Sequence, residues 1–126
     1  MTFRDALRSG SEAFAAAGLE TPYLDAVVLL AACSGLDKAA LYAAFTDELP
    51  PEAGAAFTEA VRRRLSGLPV SYILRRKEFY GLPFYVDERV LVPRPDTETL
   101  VETALAILRA DPAVARIHDV CTGSGC

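Results

Sequence analysis

No apolar run in this sequence approaches the roughly 20 residues that cross a bilayer. The longest, Ala26 to Cys33, is far shorter, so no membrane-spanning helix is expected. The N-terminus has no continuous apolar stretch of the kind a signal peptide needs, because Arg4, Asp5 and Arg8 interrupt it. Metal-ligating side chains are scarce. The cysteines are Cys33, Cys121 and Cys126, without metal-ligand spacing, and His118 is the sole histidine; no metal is expected. An odd number of thiols agrees with a reducing compartment, and cytoplasmic residence is the expectation. Positive charge is also short, with 13 Lys and Arg against 17 Asp and Glu and a net charge of −4. That balance gives no electrostatic case for direct nucleic-acid binding by the whole chain.

What is present suits a packed protein, expected to be a monomer. Of the 126 residues, 52% are hydrophobic and 24% charged, enough apolar material for a core and too much for disorder. The length accommodates one domain, or a small one and part of another.

The first half has helical periodicity. Phe3, Leu7 and Phe14 recur on one stripe with Ala6 and Ala13, Thr2 and Asp5 supply a cap, and Gly18 ends the helix. Thr21 and Pro22 open a second helix as cap and first turn. Its Leu24, Val27, Val28, Leu30 and Ala31 are apolar on more than one side, which predicts a central position, and Gly35 stops it. Asp37 caps a short third helix through Leu41 and Tyr42. Pro50-Pro51 starts a fourth, in which Phe57, Val61 and Leu65 repeat every fourth residue and Glu59, Arg62 and Arg63 lie opposite; Gly67 and Pro69 close it. The pattern predicts a helical bundle over residues 1–72.

From Lys77 the texture changes. Phe79-Tyr80 and Phe84-Tyr85-Val86 read as two short strands around Gly81-Leu82-Pro83, a hairpin linker over residues 73–93. Pro93 and Pro95 force an extended path before a helix starting at Pro95 or Asp96, with Leu100, Val101, Leu105 and Leu108 on its buried side. Asp111-Pro112 breaks it. Arg116 to Val120 reads as a strand running into Thr122-Gly123-Ser124-Gly125. Such a strand and turn normally feed a helix that returns over a parallel sheet, which predicts a chain truncated inside that loop. Taken alone, the Gly-Ser-Gly turn is equally a flexible loop or a cradle for a nucleotide-like cofactor, because glycine permits close backbone approach.

Three segments narrow the choice. Pro69 to Leu74, Glu78-Phe79-Tyr80-Gly81 and Val92-Pro93-Arg94-Pro95-Asp96-Thr97-Glu98, with their spacing to Asp119 through Cys126, closely resemble the release-factor glutamine methyltransferase family. The resemblance covers the whole chain and is strongest from Pro69 onward. It implies a mainly α fold: an N-terminal bundle that recognises the release factor, a β-hairpin linker, and in residues 94–126 the first helix and strand of a Rossmann-like α/β domain. It further implies S-adenosyl-L-methionine as cofactor, held by Cys121, Thr122, Gly123, Ser124 and Gly125. The implied substrate is the glutamine side-chain amide in the Gly-Gly-Gln loop of peptide chain release factors. Arg94, Asp96 and Glu98 would lie near the cofactor and that amide. No catalytic residue falls within the chain, since the family's Asn-Pro-Pro-Tyr motif would lie beyond Cys126, and the chain by itself is expected to be inactive. Cys121 departs from the family, which has glycine there.

Simpler roles compete at each of these positions. Asp96 and Glu98 also suit a helix N-terminus through capping and the dipole. Phe79, Tyr80, Phe84 and Tyr85 can line a groove or pack the hairpin. Arg62 to Arg64 and Arg75 to Lys77 can meet a partner or face solvent, His118 reads as a strand residue, and Cys33 as a small core residue. Two other functions stay open: a non-catalytic helical binding module, and an amino-methyltransferase acting on nucleic acid.

Overall fold

The computed structural model describes residues 1–114 and 116–126. Among them are six helices and one antiparallel pair of strands: α1 (Phe3–Ala16), α2 (Pro22–Ser34), α3 (Lys38–Ala43), α4 (Pro51–Leu65), α5 (Val70–Leu74), β1 (Arg76–Phe79), β2 (Leu82–Tyr85) and α6 (Pro95–Ala110). The chain is mainly helical, as its periodicity predicts. It divides into two compact units, Met1–Leu74 and Arg75–Cys126.

In the first unit, local signals set the helix boundaries and packing sets the rest. Thr2 and Asp5 form a reciprocal capping box at the start of α1, satisfying donors that the first turn leaves open. Asp37 caps α3 by accepting the Ala40 N–H at 2.7 Å. Thr21 does not cap α2: its hydroxyl donates instead to Asp25 Oδ1 at 2.9 Å. Asp25 is thereby oriented toward Arg64, whose Nε lies 2.8 Å from Asp25 Oδ2 and joins α2 to α4. The core gathers Phe3, Leu7 and Phe14 of α1, Val27, Leu29 and Leu30 of α2, Leu41 of α3, and Phe57 of α4. Helix α2 is central, although Leu24 points outward and is exposed. Leu65 is exposed too, so the third step of the α4 repeat does not reach the core. Gly10 allows α1 and α4 to approach closely, since a Cβ there would stand 2.7 Å from Phe57 Cζ. Helix α5, which periodicity did not announce, adds Val70, Ile73 and Leu74 to the rim of this core.

The second unit begins with the hairpin. Its register pairs Phe79 with Leu82 across a two-residue turn, Tyr80-Gly81, with φ of 50° and 73°. Positive φ at both positions is the twist that two-residue hairpins require. The turn therefore falls earlier than Gly81-Leu82-Pro83, and Leu82 and Pro83 belong to β2. Pro83 is tolerated because both strands of an isolated hairpin are edges. Asp87 and Arg89 close the next turn through several side-chain hydrogen bonds. Helix α6 then runs to Ala110 with Val101, Leu105 and Leu108 half-buried, while Leu100 is 66% exposed; the expectation of a buried Leu100 is corrected. Residues 116–120 form no strand, and Ile117 and Val120 are exposed. A β-strand exists only through hydrogen bonds to a neighbour, and β1 pairs only with β2.

Candidate functional site

The candidates for cofactor and substrate contact lie in the second unit, in two groups. The first is the start of α6. Arg94 is its N-cap in extended conformation, with φ −104° and ψ 145°, and makes no side-chain capping bond. Asp96 is exposed in the first turn, where its charge favours the positive end of the helix. Glu98 is half-buried and committed: its Oε1 accepts the Tyr80 N–H at 2.9 Å. One turn further on, Glu102 Oε1 accepts the Tyr80 hydroxyl at 2.6 Å. That bond, with the carboxylate's charge, pushes the Tyr80 phenol above its ordinary range. Neither Tyr80 as an anchor nor Glu102 was singled out from sequence. The available signal was the Glu98–Glu102 spacing, which puts two carboxylates on one helical face.

The second group is the loop. Cys121, Gly123 and Gly125 have φ of 64°, 68° and 83°, all in the region that glycine enters freely and other residues rarely. The Gly125 N–H reaches back to the Thr122 carbonyl at 3.4 Å, closing a tight turn, and the Ser124 hydroxyl donates to Cys126 Sγ at 3.2 Å. Cys121 thus adopts the backbone shape that a glycine would take, while adding a side chain. Every residue from Cys121 to Cys126 is exposed. A small cleft of about 130 Å³ gathers Ser124, Gly125 and Cys126 against Phe84, Val86 and Pro93. Sites that enclose drug-sized ligands run to about 300–1,000 Å³. The loop's backbone therefore fits as one wall of a site for the implied methyl donor, without enclosing it.

The remaining candidates take structural roles or face outward. Arg62 pairs with Glu59 on its own helix at 2.6 Å, and Arg64 turns inward to Asp25 and to the Leu68 carbonyl. The run Arg62–Arg64 is therefore not one continuous basic patch. Arg75 Nη1 meets the Tyr85 hydroxyl at 3.5 Å. Phe79 is buried and meets Phe84 edge to face at 6.4 Å, so this pair packs the hairpin. Cys33 is half-buried, and burial pushes its thiol pKa up, as suits a small core residue. His118 is exposed. Among the described residues no cluster of His, Cys, Asp and Glu could hold a metal ion, and no helix is long and apolar enough to cross a membrane.

Comparison with known proteins supplies a family. A family profile described as the PrmC N-terminal domain matches residues 5–74. A release factor glutamine methyltransferase from Bradyrhizobium diazoefficiens is 45% identical over 111 residues, covering 86% of this chain and 37% of that protein. The protein of the same name from Moorella thermoacetica is 42% identical over 126 residues, covering 99% of this chain and 44% of its own length. A third, from Koribacter versatilis, is 40% identical over 128 residues, with coverage of 100% and 45%. The chain thus spans about two-fifths of the length of the curated relatives it matches.

Proposed function

The chain belongs to the PrmC N-terminal domain family, and on that premise we propose that it is part of an enzyme methylating a glutamine side-chain amide in peptide chain release factors. The glutamine is that of the Gly-Gly-Gln loop, and the methyl donor is S-adenosyl-L-methionine. Residues 1–72 form the domain that recognises the release factor, residues 73–93 the linker, and residues 94–126 the opening of a Rossmann-like methyltransferase domain. In such a domain residues 116–120 would gain the neighbouring strands that a parallel sheet requires. The protein acts in the cytoplasm, as a monomer.

The observation that carries this reading is the Pro93–Glu98 segment followed, at the family's spacing, by a loop with left-handed backbone at Cys121, Gly123 and Gly125. The donor supplies an electrophilic methyl group. This chain's residues contribute position: Thr122 to Gly125 bring exposed backbone close to the donor, and Arg94 and Asp96 lie at the substrate side. Position matters because an amide nitrogen, with its lone pair delocalised, is a poor nucleophile and reacts only when held in line. Acceptors for the amide N–H groups are not assigned to these residues.

Two measurements test this. Titration calorimetry of the chain alone should show no S-adenosylmethionine binding, since one wall does not enclose the ligand; saturable micromolar binding would contradict that. The full-length protein containing the chain should transfer a labelled methyl group to intact release factor and not to a form with the loop glutamine changed to alanine. Equal labelling of both would exclude the substrate, and labelling of DNA instead would favour an amino-methyltransferase for nucleic acid.

A further inference from the structure

Tyr80 is the least comfortable residue of the hairpin. A tyrosine at φ 50° occupies a region that bulky L-residues avoid. Such conformations persist where surrounding contacts over-determine them. Here both polar ends of Tyr80 are held by one helix: its N–H by Glu98 and its hydroxyl by Glu102. The two carboxylates stand one turn apart on α6, so together they fix the hairpin tip along the helix and around it. Glu98 also lies one turn beyond Arg94 and two residues beyond Asp96, the substrate-side corner. A rotation of α6 that moved that corner would displace both acceptors from Tyr80.

We propose that Tyr80, Glu98 and Glu102 form a clasp that positions the Arg94–Asp96 corner for methyl transfer, with Tyr80 and Glu102 as positioning residues that do not themselves touch substrate. The clasp rests on the function proposed above. It reassigns Glu98: the oxygen that holds the Tyr80 N–H makes it an anchor. The clasp also explains why the hairpin turn carries tyrosine where a second glycine would be less strained.

The test has two arms. In the 126-residue chain, with tyrosine rings labelled for NMR, the Tyr80 phenol should titrate above its ordinary range. Glu102→Gln should return it toward that range, while Arg109, whose charge opposes the shift, stays in place. A Tyr80 phenol indifferent to Glu102→Gln overturns the clasp. In the full-length protein, Tyr80→Phe and Glu102→Gln should each lower kcat for release-factor methylation roughly tenfold, because misplacement of reacting groups acts on the chemical step. KM for both substrates should change little. Thr103→Ala, on an exposed face of α6 where the hydroxyl donates to the Thr99 carbonyl of the same helix at 2.9 Å, should leave both constants unchanged. Unchanged kcat in the two clasp variants overturns the positioning role even where the titration supports the contact. A full-length protein that transfers no methyl group to release factor removes the proposed function and the positioning role together, while the phenol titration still reports whether the contact exists.

Discussion

The two units of this chain solve the problem of stability differently. Met1–Leu74 gathers a contiguous core from four helices, in which Phe14, Leu29, Leu30 and Leu41 are fully buried. Among the described residues of Arg75–Cys126 the buried apolar side chains are Phe79 and Val86, and helix α6 has none. Its order rests on polar geometry: a turn with two positive φ angles, the Tyr80 contacts to Glu98 and Glu102, and the Asp87–Arg89 turn. The difference shows how a fold and a site place different demands on a sequence. The bundle tolerates its residues through packing, whereas the site region depends on particular groups at particular angles.

The largest expected break in this comparison comes from the bundle core. Phe14→Ala should lower the unfolding free energy of the bundle by about 3–5 kcal/mol, the range for removing a buried aromatic ring. Residues 1–74 alone should show a cooperative helical melt, and the substitution should bring its urea midpoint down. A broad, non-cooperative melt of that fragment would mean the first unit is not self-sufficient. Next is Gly10→Val, which puts a branched side chain where even a Cβ meets Phe57 at 2.7 Å. Overpacking of this kind costs about 1–3 kcal/mol, measured as a fall in the same midpoint. Asp37→Ala should cost about 1 kcal/mol through the lost α3 cap, and a change indistinguishable from zero would show that α3 is held by packing alone.

The smallest effect belongs to the second unit and depends on pH. Asp87 is held at a pKa of about 2, first by its hydrogen bonds from the Arg89 side chain and backbone. A depressed folded-state pKa means that the stabilisation is fully present above the ordinary carboxylate value. It is lost progressively as pH falls from there through about 2. NMR titration of the Asp87 carboxyl should show this low midpoint, and Arg89→Ala should move it up. A midpoint unmoved by that change would remove the ion pair from the account of this turn.

Much of the first unit was readable from residues alone, because its signals are local. Thr2, Asp5, Asp37 and the glycines at helix ends act within a few residues, and apolar spacing reports which face turns inward. One error there fell where two neighbours competed for one residue. Thr21 gave its hydroxyl to Asp25; separately, Leu24 and Leu65 face outward and are exposed. In the candidate site the loop and the Arg94–Glu98 segment were legible as motifs, but the partners of their side chains were not. Nothing along the chain says that Glu98 and Glu102 meet a tyrosine 18 and 22 residues earlier.

The sequence by itself determined the helical character of the first unit, the existence of a hairpin, the glycine-rich loop and the family resemblance. Each depends on residue type at short range, where sterics, capping and periodicity act without a distant partner. Tertiary structure alone decided the pairing of Arg64 with Asp25, the close approach at Gly10, the left-handed Tyr80 and its two carboxylate anchors. It also decided that residues 116–120 remain unpaired, although their apolar character suits a strand. The reason is the same in each case: a contact across the fold, or a strand's hydrogen-bonded neighbour, is a property of two segments together and is not encoded in either one.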